Sequence, residues 1–270
     1  MEEKRKTIGV VLGGGGGKGM AHIGVLKVLE ENKIPIDLIV GTSMGAAVGG
    51  LFAVGFTFGE VEQIFLDEID WRDWLGLVTP SVSNDLEGKD KLEKWIEQIL
   101  KGKFFKDVAI PLVITTVDLN SGERVVLQEG SIATAIRASI SAPPAIKPIE
   151  YQGRLLGDGW MAGPLPADIA RKMGMDIVIG VFLDTEKATQ ELYEKNISAL
   201  VAMNRSYNIL SNHLLAYEEK DCDVVIKPLV GDVNIVGGVE EFLNKKLITK
   251  NIAAGEKAAL AMVEKIKSLL

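Results

Sequence analysis

Apolar positions along this chain follow two different spacings, which alternate from the N-terminal end. Short runs rich in valine, isoleucine and leucine predict buried strands at residues 7–12, 37–40 and 176–183. After such runs, apolar residues spaced three and four apart predict helices, for example at residues 18–31 and 43–54. Strands that alternate with helices usually pair in parallel. The pattern therefore predicts an α/β fold with a mainly parallel central sheet flanked by helices.

The remaining pattern extends the same architecture. A strand over residues 110–119 turns at Asn120-Ser121-Gly122 into residues 124–128, which predicts a hairpin. Thr57 and Glu60 have the spacing of a capping box at the start of a helix. Further strands are predicted at residues 149–156 and 223–227, and further helices at residues 91–100, 131–139, 166–173, 186–219 and 239–270.

Composition narrows the class of partner and the compartment. The 270 residues carry a net charge of −7, which argues against nucleic acid as a partner because phosphate binding requires a basic surface. A single cysteine, Cys222, fits a reducing compartment, and the apolar run at residues 45–58 is shorter than the roughly 20 residues that span a bilayer. With no visible leader pattern, we expect a cytoplasmic protein. No linker interrupts the chain, so we expect residues 184–270 to complete one domain with residues 7–183.

Five consecutive glycines, Gly13 to Gly17, lie between the first predicted strand and helix, followed by Lys18 and Gly19. A backbone without side chains lets several N–H groups converge on an anion, and the following helix N-terminus adds partial positive charge. The segment is not a P-loop, because glycine rather than serine or threonine follows Lys18. It fits an oxyanion hole for acyl transfer. It also fits a dinucleotide-binding fingerprint, with Asp37 at the spacing of a ribose ligand and the glycine positions matched by Gly14, Gly16 and Gly19.

The pentapeptide Gly41-Thr42-Ser43-Met44-Gly45 follows a predicted strand and opens a predicted helix, the context of a nucleophile elbow. A serine that merely caps a helix in a glycine-rich turn gives the same pattern by chance. The pentapeptide comes one strand–helix unit after the glycine loop, and in a parallel sheet both turns lie at the same edge. This placement favours Ser43 as a nucleophile.

A serine nucleophile requires a base, and the chain has only two histidines, His22 and His213. A helix histidine that packs or faces solvent is the simpler interpretation of both, although the chain order leaves a triad with His213 formally open. A carboxylate within hydrogen-bond reach of the serine can take the same role. Asp158, at the exit of a predicted strand and before Gly159, is the candidate, and an ordinary Asp-Gly turn is the alternative.

Three motifs in this order resemble the bacterial patatin-like phospholipases. They are the glycine loop with the start of its helix (residues 12–26), the elbow at residues 41–46, and Asp158-Gly159. The stretch from Arg137-Ala138-Ser139 to Pro143 is similar as well. The resemblance covers residues 7–183 and implies a three-layer sandwich with helices on both faces of the sheet.

The resemblance also implies a function. It implies a lipid acyl hydrolase with a serine–aspartate dyad, in which Ser43 carries the acyl group and Asp158 is the base. The oxyanion hole is implied at the backbone N–H groups of Gly14, Gly15 and Gly16. Other motif positions are implied to support the site, namely Lys18, Gly19, Gly41, Gly45 and Gly159. The implied substrate is a phospholipid or lysophospholipid, met in transient contact with a membrane surface, and neither a metal nor an organic cofactor is implied.

Two features depart from the family pattern. One is Gly163-Pro164-Leu165-Pro166, where the family usually has a short Asn-x-Pro-like sequence, and the other is Trp160. Trp160 follows Asp158-Gly159 where the family usually has glycine or alanine, and its ring is expected to narrow or wall the pocket.

Apolar residues after the elbow are candidates for an acyl pocket or for plain core, namely Leu51, Phe52, Phe56 and Phe58. The segment from Trp71 to Val78 is a candidate lid or membrane contact, with core packing as the simpler interpretation.

Two other functional classes stay open at this point. One is a dinucleotide-binding oxidoreductase, and the other is a non-catalytic protein that keeps the fold and binds acyl lipids.

Overall fold

A computed structural model describes residues 5–68, 91–143, 146–183, 199–230 and 244–270. In this part of the chain an eight-stranded sheet has the order β5-β6-β3-β2-β1-β7-β8, with β4 also paired to β3. The strands are β1 (Ile8–Leu12), β2 (Leu38–Thr42), β3 (Leu112–Asp118), β4 (Arg124–Leu127), β5 (Ile149–Tyr151), β6 (Arg154–Asp158), β7 (Ile177–Val181) and β8 (Val224–Ile226).

The sheet is parallel across its middle and antiparallel at one side. β1 pairs in parallel with β2 and β7, and the parallel pairing continues from β2 to β3 and from β7 to β8. β4 and β6 run antiparallel to β3, and β5 runs antiparallel to β6. Every residue of β1, β2, β3 and β7 is buried, as expected for strands covered on both faces. The mainly parallel sheet predicted from the sequence is confirmed.

Helices cover both faces of the sheet. They are α1 (Ala21–Glu31), α2 (Met44–Ala53), α3 (Phe58–Gln63), α4 (Lys91–Ile99), α5 (Ile132–Ser139), α6 (Ala167–Lys172), α7 (Ala199–Glu218), α8 (Lys245–Leu260) and α9 (Val263–Lys267). Ile8, Val10 and Leu12 of β1 face a core formed with α1, α2, α5 and α8, whereas Val11 faces a second core formed with α6 and α7. The result is the three-layer arrangement that the resemblance implies.

Local signals placed most element boundaries to within a few residues. The capping box of Thr57 and Glu60 is present, and the hairpin between β3 and β4 turns through Gly122 at φ 75°. The helix predicted to begin at residue 18 instead begins as a 3-10 turn, Gly16–Met20, before α1. Parts of the predicted helices at 186–219 and 239–270, and the whole Trp71–Val78 segment, lie outside the described residues.

Candidate active site

The sheet brings the three motifs to one place. The glycine loop follows β1, Ser43 follows β2, and both strands end at the same edge because they are parallel. β6 runs antiparallel to β3, with Asp158 opposite Thr116. The neighbouring residue, Thr115, is opposite Thr42. Asp158 therefore lies across β3 from Ser43, the residue after Thr42.

Ser43 has the sharp backbone turn of an elbow. Its φ is 53° and its ψ is −122°, an uncommon conformation for a residue with a side chain, and α2 begins at the next residue. The two flanking glycines make room for this turn. A Cβ at Gly41 would lie 2.6 Å from the Cα of Ala46, and a Cβ at Gly45 would overlap the carbonyl oxygen of Leu12. The strand–turn–helix context that the motif requires is therefore present.

Ser43 and Asp158 are in direct contact. The Ser43 Oγ donates a hydrogen bond of 2.7 Å to the Asp158 Oδ2, and the two residues are only 8% and 4% exposed. The other carboxylate oxygen, Oδ1, accepts a bond of 2.9 Å from the backbone N–H of Trp160. A Cβ at Gly159 would overlap the carbonyl oxygen of Thr115, so only glycine lets the chain leave the strand this close to β3.

Burial changes the acidity of the Asp158 carboxyl group. Removal from water raises its pKa to about 7, and the hydrogen bonds from the Trp160 N–H and the Ser43 hydroxyl offset only part of this rise. A carboxylate with a pKa near neutrality is a far better proton acceptor than one with the usual value. The pair therefore has both the geometry and the basicity for proton transfer from the serine.

A second set of hydrogen bonds fixes the backbone of the pair, and sequence reasoning missed it. The Ser43 N–H donates to the Ser139 Oγ at 2.8 Å, and the Ser139 Oγ donates to the carbonyl oxygen of Thr115 at 2.8 Å. The Asp158 N–H donates to the carbonyl oxygen of Ser141 at 2.9 Å. The similarity of residues 137–143 to the family was the available signal for this support.

The glycine loop runs beside the serine. A Cβ at Gly14 would lie 3.3 Å from the Ser43 Cβ and 2.9 Å from the Trp160 Cδ1. The Gly14 N–H is occupied, because it donates to the carbonyl oxygen of Pro164 at 3.3 Å. Among the described residues, the N–H groups of Gly15 and Gly16 have no hydrogen-bond acceptor. These two amides are therefore the ones left available for an anion.

The turn after the glycines is buried against the elbow. Lys18 is 4% exposed within the 3-10 turn, and a Cβ at Gly19 would lie 2.5 Å from the Cβ of Met44. His22, in the first turn of α1, is fully buried, and its Nε2 lies 2.8 Å from the carbonyl oxygen of Gly13. Burial lowers the His22 pKa to about 4, so the ring is neutral near pH 7. Of the two possibilities for His22, packing is correct.

The structure does not support two alternatives raised by the sequence, a triad with His213 and a dinucleotide site with Asp37. His213 is exposed on α7, and the described hydrogen bonds include none between it and Ser43 or Asp158. Asp37 precedes β2, where it accepts the N–H of Ile8 and pairs with Arg5 at 2.6 Å. Because the glycine loop follows β1, Asp37 lies at the opposite edge of the sheet. It cannot contact a nucleotide bound at the glycines.

An apolar cavity of about 50 Å³ is lined in part by Met44 and Ile140, which directly follow Ser43 and Ser139 in the chain. Its walls come from α2, α4, α5 and the turn after α3: Met44, Ala47, Leu51, Ile64, Phe65, Trp95, Ile96, Ile99, Leu100, Ile136 and Ile140. Of the four candidates named from the sequence only Leu51 contributes. The rings of Phe56 and Phe58 instead lie under the ammonium groups of Lys101 and Lys27.

The family model for patatin-like phospholipases matches residues 10–171, which contain the loop, the elbow and Asp158. The chain belongs to the patatin-like phospholipase family. Related proteins support this family membership. The human patatin-like phospholipase domain-containing protein 6 is 33% identical over 194 residues, and an uncharacterized NTE family protein of Mycobacterium tuberculosis is 36% identical over 182 residues. These alignments cover 68% and 67% of this chain but only 14% and 50% of the relatives.

Solved structures share the patatin-like fold at low sequence identity. VipD from Legionella pneumophila has a TM-score of 0.59 at 13% identity, over 97% of this chain and 67% of that one. The type III effector protein ExoU has a TM-score of 0.54 at 16% identity, over 97% of this chain and 53% of that one. At such identities the likeness concerns the fold alone.

Two kinds of feature are absent from the described residues. No helix among them has the length and apolar character needed to cross a membrane. In the same part of the chain, no three histidine, cysteine or acidic side chains are grouped so that they could hold a metal ion.

Proposed function

We propose that this patatin-like phospholipase family member is a lipid acyl hydrolase in which Ser43 is the nucleophile and Asp158 the general base. The observation that carries the proposal is the buried 2.7 Å hydrogen bond between the Ser43 Oγ and the Asp158 Oδ2. A helix-capping serine would direct its hydroxyl to a nearby backbone N–H, whereas no side-chain cap bond is present at Ser43.

The reaction proceeds in two halves through an acyl-enzyme. Asp158 accepts the proton of Ser43 as the Oγ adds to the ester carbonyl carbon, and the carbonyl oxygen becomes an oxyanion. The tetrahedral intermediate collapses, the ester C–O bond breaks, and the proton passes from Asp158 to the leaving alcohol. Water then gives a proton to Asp158 as its oxygen adds to the acyl carbon. The bond between this carbon and the Ser43 Oγ breaks, Asp158 returns the proton to Ser43, and the fatty acid leaves.

The oxyanion is held by the amides of Gly15 and Gly16, which the described structure leaves without acceptors. Gly14, implied as a third donor, acts instead through its occupied N–H, which fixes the loop to Pro164. Glycine at position 14 is still required, because a side chain there would meet Ser43 and Trp160. The loss of one oxyanion donor typically lowers the rate by about 100- to 1,000-fold.

The apolar cavity beside Met44 favours an ester of a fatty acid over a small polar ester. Its walls are apolar side chains, so they bind an alkyl chain by removing it from water, at roughly 0.8 kcal/mol per methylene group. With the family membership, this supports a phospholipid or lysophospholipid substrate. We infer that the protein meets this substrate from the cytoplasm, in transient contact with a membrane surface.

A fluorophosphonate probe tests the nucleophile directly. The probe phosphonylates an activated serine with loss of fluoride, and mass spectrometry locates the adduct. We expect the label at Ser43, none in Ser43→Ala, and labelling slowed at least about 100-fold in Asp158→Ala.

Ser121→Ala, in the exposed hairpin turn, is the matched control and should label like the wild type. An unlabelled but folded wild type would contradict the proposal. So would labelling that survives in Asp158→Ala and is lost in His213→Ala, because the base would then be the histidine.

A further inference from the structure

The peptide group that joins Gly13 to Gly14 is held from both sides. Its carbonyl oxygen, on Gly13, lies 2.8 Å from the Nε2 of His22, and its N–H, on Gly14, donates to the carbonyl oxygen of Pro164 at 3.3 Å. One peptide plane is thus anchored to α1 on one side and to the segment after Asp158 on the other. This plane immediately precedes the amide of Gly15.

From this we infer that His22 is a positioning residue for the oxyanion-binding amides, an assignment that rests on the function proposed above. It fixes the peptide plane from which the Gly15 and Gly16 N–H groups are directed towards the substrate carbonyl. A loop of five glycines has no side chains of its own to define its conformation, so external hydrogen bonds must do so.

The chemistry of the contact fixes the form of the imidazole. A carbonyl oxygen can only accept, so the Nε2 of His22 must carry the hydrogen. The neutral ring then has a lone pair on Nδ1. This atom is buried and has no hydrogen-bond partner among the described residues. An apolar side chain would avoid that unpaired atom, so the histidine is explained by its donor and not by packing alone.

The close packing around Gly13 makes the orientation matter. A Cβ at Gly45 would lie 2.7 Å from the Gly13 carbonyl oxygen, so this oxygen sits between the His22 ring and the start of α2. A rotation of the Gly13–Gly14 peptide would therefore move the loop relative to Ser43, whose Cβ is the neighbour of Gly14. Small displacements of this kind reduce rates without reducing ground-state binding of the ester.

The test compares His22→Gln with His22→Met. The two side chains are of similar length, but only the glutamine amide places an N–H donor near the position of the Nε2. With a short-chain p-nitrophenyl ester, His22→Met should lower kcat by about 10- to 100-fold with KM within about twofold, whereas His22→Gln should stay within about threefold of the wild type. Thermal melting confirms that both are folded. If His22→Met does not fold, His22→Asn, whose amide is too short to reach Gly13, replaces it.

A trifluoromethyl ketone provides a readout that a merely structural role would not change. The Ser43 oxygen adds reversibly to its carbonyl carbon and gives a tetrahedral oxyanion, so its inhibition constant reports how well the loop holds that charge. We expect this constant to rise in His22→Met by the factor by which kcat falls, and to stay near the wild-type value in His22→Gln.

Equal kcat in both variants and the wild type, equal losses in both variants, or a fall in kcat without a change in the inhibition constant would each overturn the assignment. A wild type that neither hydrolyses esters nor labels at Ser43 would instead remove the proposed function, and the assignment with it.

Discussion

Asp158 is subject to two opposing requirements within one small volume. Its burial beside Ser43 excludes water from the nucleophile, but the same burial disfavours the charged form that must accept the proton. The Trp160 N–H and the Ser43 hydroxyl compensate in part by donating to its two oxygens. The resulting pKa of about 7 leaves a large fraction of the carboxylate charged at neutral pH while keeping it basic.

The pH dependence of hydrolysis should report this balance. Because Asp158 must be deprotonated to act and its pKa is raised to about 7, we expect kcat/KM to fall below that pH, by about tenfold per unit, and to level off above it. The measurement is kcat/KM for an uncharged p-nitrophenyl ester from acidic to mildly alkaline pH.

The control is the residual activity of Asp158→Ala, which should lack this transition. A wild-type midpoint near the ordinary aspartate value of 3.8 would mean that burial does not control the base in the working enzyme.

At the scale of the elements, the sequence predicted the features that depend only on residues close together in the chain. β1, β2 and the turn at Ser43 follow from continuous apolar runs that end in glycine, and the capping box at Thr57 requires only four residues. Features that depend on contacts between distant segments could not be predicted from the sequence. The engagement of the Gly14 N–H depends on Pro164, 150 residues away in the chain, and no periodicity encodes that contact.

The apolar cavity is a further case of long-range assembly. The sequence placed an acyl pocket on residues close to the elbow, but about half of its wall comes from α4, α5 and the residue after each, which are distant in the chain. Phe56 and Phe58 are apolar residues near the elbow that instead pack against the core, with a lysine ammonium over each ring. Hydrophobicity shows that a residue is suited to a cavity wall, but only the packing of helices shows which cavity it lines.

Filling this cavity should change chain-length preference. Ala47, on α2, lines it, and Ala47→Leu would occupy space that an alkyl chain otherwise takes. We expect kcat/KM for p-nitrophenyl palmitate to fall about tenfold, since about two methylene groups lose their site at roughly 0.8 kcal/mol each, while p-nitrophenyl butyrate changes little.

The opposite substitution is Ile99→Ala, which enlarges the same cavity from α4 and should favour the longer ester. Equal losses for both esters in Ala47→Leu would indicate damage to the elbow and not an occupied acyl site.

Over the whole molecule, the segments after residue 183 contribute to both sides of the sheet. β8 extends the sheet beside β7, and α8 packs on α1 so closely that a Cβ at Gly255 would overlap the carbonyl oxygen of Ala21. On the other side, Tyr207 of α7 contacts the Trp160 ring edge-on at 5.7 Å between centroids. We infer that these segments complete one domain with residues 7–183, although the family model ends at residue 171.

Glu218, the last residue of α7, connects this C-terminal part to the site. Its Oε1 accepts from Arg124 at 2.7 Å, and its Oε2 accepts from the Leu165 N–H at 2.7 Å. Leu165 follows Pro164, whose carbonyl oxygen holds the Gly14 N–H. A chain of hydrogen bonds therefore runs from α7 to the glycine loop, and the helix should influence catalysis without touching the substrate.

Glu218→Ala should weaken both stability and activity. It leaves the Leu165 N–H and one N–H of Arg124 without an acceptor, which costs about 2 kcal/mol, or roughly 4–8 °C in Tm for a chain of this size. The neighbouring Glu219→Ala is the matched control, since it removes only a pair with Lys227 in which both side chains are more than a third exposed, worth under about 1 kcal/mol. We expect kcat/KM to fall severalfold in the first variant and not in the second, measured at a temperature where both are folded.

A lower Tm with unchanged kcat/KM in Glu218→Ala would show that α7 only covers the sheet. A fall in both Tm and kcat/KM would make the C-terminal segments part of the catalytic apparatus.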